Sequence, residues 1–183
     1  MKKLSDNYLL EKYGLKTRLV DLNDAEFILS LRTNLERTKY MVTVENNIDI
    51  QREWIKEYKE REKDGLDYYF IYSNAEDTPI GLNRVSHIDI INKTAKDSSW
   101  ITVKGLKYEA IKMLIIRNEL VFNSLEIEKC WGEVHKENIS AIRIFKLFGY
   151  KFKDYGAEYY EISIQKEDFF AACNNQIVNN FKK

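Results

Sequence analysis

Between Lys129 and Phe152 the chain compresses several structural instructions into one stretch. An apolar strand, Lys129 to Val134, runs into the polar elbow His135-Lys-Glu-Asn138, and Asn138 is well suited to cap a helix by accepting backbone N–H bonds. Ala141, Ile144, Phe145 and Phe148 follow at i, i+3, i+4 and i+7, so one face of that helix is expected to be buried. Gly149 stands where a left-handed residue ends a helix, and Tyr150 to Phe152 re-enter as apolar strand. A strand feeding a short capped helix and then a return strand demands an α/β arrangement.

Upstream, the period of the apolar residues orders the remaining elements. Lys16 to Val20 reads as a strand. A helix opens after Leu22, where Asn23 and Glu26 have capping-box spacing, with Ala25, Ile28 and Leu29 as its buried stripe. A polar elbow, Arg32 to Tyr40, precedes a second helix from about Ile50 to Lys63, with Trp54, Ile55 and Tyr58 on one face. Asp67 to Tyr72, Ile80 to about Ile91 and Ser98 to Val103 are rich in β-formers and separated by short polar turns, which predicts an antiparallel meander. The period then changes. Ala110, Met113, Leu114, Arg117, Leu120 and Val121 mark a helix with one mostly apolar face, ending near Asn123. After the elbow helix come strands Lys151 to Asp154 and Tyr159 to Ile164. Lys166 to Phe181 then gathers Phe169, Phe170, Cys173, Ile177 and Phe181 near one side of a closing helix.

Composition excludes several classes. At 183 residues the chain is expected to form one domain over 1–183, with a core of about 16–165 and a terminal helix over 166–183. Its 29 basic and 29 acidic residues are interspersed, which supplies no field for nucleic acid. No apolar run reaches the length of a signal peptide or a membrane span. Two cysteines, Cys130 and Cys173, suit reduced thiols and a cytoplasmic setting better than a disulfide scaffold.

The Asn138, Ala141, Gly149, Tyr150 pattern, together with the order of elements, resembles the GNAT superfamily of N-acetyltransferases over about Lys16 to Gln165. Ser140 matches the ribosomal-protein acetyltransferase branch, and Leu31-Arg32-Thr33-Asn34 looks like acetyltransferases of nucleotide-linked amino sugars. The resemblance implies the GNAT acyltransferase fold, an α/β (α+β) architecture with a mixed central sheet of six or seven strands flanked by helices. It also implies acetyl-CoA as co-substrate, no metal, and a primary amine as acceptor. The cofactor arm is then expected along Trp100, Ile101, Thr102 and Val103. Its pyrophosphate would lie near Gly105, Lys107, Tyr108 and Ala110, with Asn138 and Ser140 also on the cofactor side. The family's glycine-rich phosphate loop is reduced here to Gly105 and Ala110. Its usual strand carboxylate is replaced by Ser99, and its usual tyrosine acid by Phe145, which has no proton to give.

A base poised near neutrality suits the attacking amine, which nominates His87 and, by strand alternation, Glu133; His135 is the second histidine of the chain. Arg32 suits a diphosphate and Tyr40 stacking or hydrogen bonding to the acceptor. A nucleotide-linked amino sugar is the favoured acceptor. The alternatives are a protein N-terminus, and a degenerate GNAT fold that only binds or regulates. Monomer and homodimer both remain open.

Overall fold

A computed structural model describes residues 3–106 and 108–182. Eight strands form one sheet: β1 (Leu9–Lys12), β2 (Leu15–Leu19), β3 (Tyr68–Ser73), β4 (Pro79–Asp89), β5 (Thr94–Thr102), β6 (Lys129–His135), β7 (Lys151–Tyr155) and β8 (Tyr159–Gln165). Their spatial order is β1-β2-β3-β4-β5-β6-β8-β7. Every neighbouring pair is antiparallel except β5 and β6. Parallel strands need a crossover, and α4 (Tyr108–Glu119) with its π-helical extension Leu120–Ser124 provides it.

Seven of the eight strands fall where the sequence pattern places one, although β5 begins at Thr94, four residues ahead of the expected Ser98, and so takes in most of the expected polar turn. The eighth, β1, has no apolar period because it is a mostly exposed edge strand. It is held by a two-residue hairpin whose central residues, Tyr13 and Gly14, both take positive φ (55° and 75°), the turn whose twist matches paired strands.

On one face of the sheet lie α1 (Ala25–Arg32), the single-turn α2 (Leu35–Thr38) and α3 (Ile48–Lys63). Ile28, Leu31, Ile55 and Tyr58 pack there on Tyr69, Ile71, Leu82 and Ile101. The opposite layer holds α4, α5 (Ile139–Leu147), α6 (Lys166–Cys173) and α7 (Gln176–Asn180), packed on Phe70, Tyr72, Val85 and Ile164. Among the described residues, no helix is long and apolar enough to cross a membrane.

Three details depart from the sequence pattern. The capping box at the first helix is formed by Asp21 and Asp24, not Asn23 and Glu26. Asp21 accepts from Asn23 N at 2.7 Å, and Asp24 accepts from Asp21 N at 2.8 Å, which starts a 3-10 turn ahead of α1. The middle of α4 is buried all round, from Met113 to Asn118, and the terminal segment packs at its two ends, Phe169 on Phe122 and Phe181 on Tyr108. That segment is two helices. Asn175 caps the second by accepting from Ile177 N at 2.9 Å, and the break shifts the helical phase so that Val178 is buried and Ile177 faces solvent.

Candidate active site

Strands β5 and β6 pair at only three positions, Thr94 with Lys129, Ala95 with Cys130 and Lys96 with Trp131, and then part. From Asp97 to Thr102 the β6-facing edge of β5 meets no strand. A cleft of about 540 Å³ occupies this gap. Arg32, Arg37, Tyr40, Met41 and Val42 line it from the α1–α2 layer, and Asn138, Ala141 and Phe145 line it from α5 on the other layer. Lys96, Ser98, Ser99, Trp100, Glu133 and His135 come from the two diverging strands, and Tyr159 and Ile162 from β8. The gap therefore joins the two faces of the sheet.

Two features hold β5 open. Opposite Asn83, the register of β4 and β5 slips by one residue, and Ser99 sits in the bulge at φ 52°. A side chain is strained in that conformation, and a β-branched one more so. Ser99→Val is expected to lose roughly 1–2 kcal/mol in urea unfolding relative to Ser99→Gly; equal stability of the two variants would mean that the bulge relaxes.

The second feature is a buried polar cluster where the strands separate. Asp97 receives Arg117 of α4 and, at 2.8 Å, Asn83 Nδ2. Arg117 also donates to Tyr150 Oη at 3.1 Å, and Asn118 Nδ2 donates to the same hydroxyl at 3.3 Å. Burial raises the Asp97 carboxyl above its usual range against the pull of Arg117. Burial works against the charge of Arg117 as well, but Asp97 more than offsets it, and the guanidinium is held above its ordinary value. Cys130, in the same cluster, has its thiol pushed up to about 12 by burial. Neither it nor the buried Cys173 lines the cleft, so the site offers no activated thiolate for a covalent route.

Of the residues the sequence nominates, Glu133, Trp100, Asn138, Arg32 and Tyr40 meet in the cleft. Glu133 receives Lys96 Nζ at 2.9 Å, and the same ammonium lies 4.9 Å from the centre of the Trp131 ring. Asn138 caps α5 by accepting from Ala141 N at 3.2 Å. Arg32 donates to Val42 O at 2.9 Å and to Ser99 Oγ at 3.3 Å, which ties the loop after α2 to the bulge. Trp100 packs on Phe145 with ring centres 5.6 Å apart, and its buried Nε1–H has no partner among the described residues.

Other nominated residues lie elsewhere. His87 is exposed on a second irregularity of β4, at φ 50°, with Nδ1 3.0 Å from Ser86 Oγ and its ring edge-on to Trp131; it does not line the cleft. Ile101 is buried against the α1–α3 layer. Thr102, Val103, Gly105, Tyr108, Ala110 and Ser140 are outside the cleft lining. Gly105, at φ 92°, and Tyr108 flank the start of α4, where Lys107 lies outside the described residues.

Arg37, Lys96, His135 and Tyr159 also line the cleft; the sequence reading weighs His135 only as the second histidine and nominates none of the other three. Alternation along β6 does put His135 on the same side as Glu133. Lys96 and Tyr159 arrive through strand register, which no local pattern encodes.

A solved structure described as the apo form of FdhC, a nucleotide-linked sugar GNAT, is 30% identical to this chain, covers 97% of it and 99% of its own length, and superposes with a TM-score of 0.84. The chain belongs to the GNAT N-acetyltransferases. Another GNAT structure, the spermidine N-acetyltransferase from Vibrio cholerae in complex with CoA and spermine, shares the fold at 20% identity, with 86% and 98% of the two chains covered and a TM-score of 0.74. A dodecameric form of that Vibrio GNAT enzyme matches at 19% identity and a TM-score of 0.69, with 85% and 96% covered. No family model matches the chain, and neither does any curated protein. This GNAT enzyme is an N-acetyltransferase acting on an amine.

Proposed function

We propose that this enzyme acetylates the amino group of a nucleotide-linked sugar, with acetyl-CoA as donor. The observation that carries the reading is a cleft that crosses the sheet and carries unbalanced positive charge on its α1–α2 side. Of its two carboxylates, Asp97 is taken by buried Arg117 and Glu133 by Lys96. Arg32 and Arg37 also line it, and neither has a carboxylate within ion-pair distance among the described residues. A polyamine would bring more positive charge to that wall. An acceptor with a diphosphate brings the complementary sign, and guanidinium groups suit phosphate oxygens.

The residues present fit a CoA arm. The open edge of β5 exposes backbone groups to a ligand's amides, as an added strand would, and the orphaned Trp100 N–H is a donor awaiting an acceptor. Among the described residues the Asn138 amide N–H₂ has no partner while Oδ1 caps α5. Acetyl-CoA, when bound, supplies the activated acetyl group.

Glu133 accepts the proton that the amine gives up, directly or through water, and Lys96 fixes the carboxylate. His87 takes no part, being turned outward. Because Arg32 is occupied with Val42 and Ser99, it shapes the acceptor wall, and Arg37 meets the diphosphate. Phe145 provides no acid, which a thiol leaving group with a pKa near ~8.5 tolerates.

The test is a direct competition of acceptors under saturating acetyl-CoA. A nucleoside-diphosphate-linked amino hexose is expected to show kcat/KM at least about 100-fold above spermidine, and the reverse ranking refutes the reading. In Arg37→Ala the acceptor KM is expected to rise about 10-fold or more, the loss of one charged hydrogen bond, while the Kd for CoA measured by calorimetry stays unchanged.

A further inference from the structure

His135 is held from three directions at the mouth of the cleft. Glu137 N–H donates to its Nδ1 at 3.1 Å, inside the turn that Asn138 N–H closes on His135 O at 2.9 Å. Tyr40, from the segment after α2, stacks on the ring with centres 4.8 Å apart and planes within 26°. Tyr159, directly opposite in the β6–β8 register, meets it edge-on at 5.1 Å. An imidazole that accepts at Nδ1 is the neutral tautomer with its proton on Nε2. That N–H has no partner among the described residues, on a half-buried ring that lines the cleft.

We infer that His135 is a specificity-determining residue of the acceptor subsite, where its Nε2–H donates to a hydroxyl oxygen of the sugar whose amine is acetylated. The inference rests on the sugar-nucleotide reading given above. His135 lies two residues beyond Glu133 on the same face of β6, about 6–7 Å further along. An amine presented to Glu133 thus leaves its own hexose ring within reach of His135, and Arg37 lines the same cleft for the diphosphate. The arrangement gives His135 a binding role and leaves proton abstraction to Glu133. With Nδ1 satisfied by the backbone and Nε2 protonated, neither nitrogen offers a lone pair to a substrate.

Two variants separate the functions of the ring. Asparagine can take over the Nδ1 contact with Glu137 but does not reach the sugar; glutamine carries an N–H₂ to the position of Nε2. In His135→Asn the acceptor KM is expected to rise about 3- to 10-fold, with kcat within about twofold of wild type, and His135→Gln is expected to recover most of the loss. Inhibition by the nucleoside diphosphate lacking the sugar should be the same in wild type and His135→Asn. ¹⁵N NMR of the imidazole in the wild-type protein should report the Nε2–H tautomer.

A kcat loss of about 100-fold at constant KM would make His135 a base and overturn the inference. So would an unchanged KM, the Nδ1–H tautomer, or equal weakening of the bare nucleoside diphosphate, which would move the contact to phosphate. If wild-type enzyme binds CoA but acetylates no sugar nucleotide, the sugar-nucleotide reading itself has failed and this assignment falls with it. In every other outcome wild-type turnover keeps the two apart.

Discussion

Replacing Arg117 by methionine is expected to remove about 3–5 kcal/mol of unfolding free energy near pH 8, and distinctly less near pH 5. The side chain is fully buried and faces Asp97, which is nearly as inaccessible, so deleting the cation strands a carboxylate in the interior. The sign of the pH effect follows from the direction of the Asp97 shift. Burial already holds that carboxyl above the unfolded value of about 3.9, with Arg117 pulling the other way. Without Arg117 the opposing pull is gone and the native carboxyl moves further up. A group raised in the native state binds a proton there that the unfolded chain has released. Its favourable contribution is complete below the unfolded value and is lost as pH climbs through the native one. The variant's deficit must therefore widen with pH.

Urea unfolding of both proteins at pH 5 and pH 8 measures this, and a deficit equal at the two pH values would rule the mechanism out. Asp97→Asn combined with Arg117→Met should be more stable than Arg117→Met alone, because the stranded charge is then absent.

That cluster also shows where sequence reading succeeds and where it stops. The β6–elbow–α5 unit is legible because each of its signals is local: Asn138 caps the helix that follows it, and Gly149 ends that helix at φ 81°. The meander from β3 to β5 is legible for the same reason, since β-formers and short turns announce themselves. Parity fails at bulges. His87 is nominated as a near-neutral base lying mid-strand just before the cofactor strand, but at the irregularity between Ser86 and Asp89 it is exposed to solvent. Arg117 reads as one member of an apolar helix stripe, and only the pairing of α4 with β5 reveals its partner, twenty residues earlier in the chain. Arg37, Lys96 and Tyr159 reach the cleft by register and by packing across the sheet, so no window of sequence contains them together. The edge strand β1 lacks the buried side whose period would betray it.

Gly132→Ala is expected to weaken CoA binding at least about 10-fold and to cost about 1–3 kcal/mol of stability. A Cβ built on Gly132 falls 2.9 Å from the carbonyl oxygen of Asp97, a backbone atom that has no rotamer by which to retreat. This contact lies immediately beyond the last paired position of β5 and β6, where the strands begin to part. To admit a methyl group, either β6 must move away from β5, widening the gap from its closed end, or Asp97 must withdraw and disturb its contact with Arg117. Both responses alter the strand edge along which the cofactor arm is proposed to lie. Gly156→Ala is the matched control. Gly156 lies in the turn between β7 and β8 at φ 68° with no atom within 4 Å of the added Cβ, so its cost is the left-handed penalty alone, roughly 1–2 kcal/mol. Calorimetry with CoA and urea unfolding on both variants separate the effects. Comparable stability losses are expected, with a loss of CoA affinity confined to Gly132→Ala. Should Gly132→Ala lose stability yet bind CoA like wild type, the point of divergence between β5 and β6 would not govern the cofactor site.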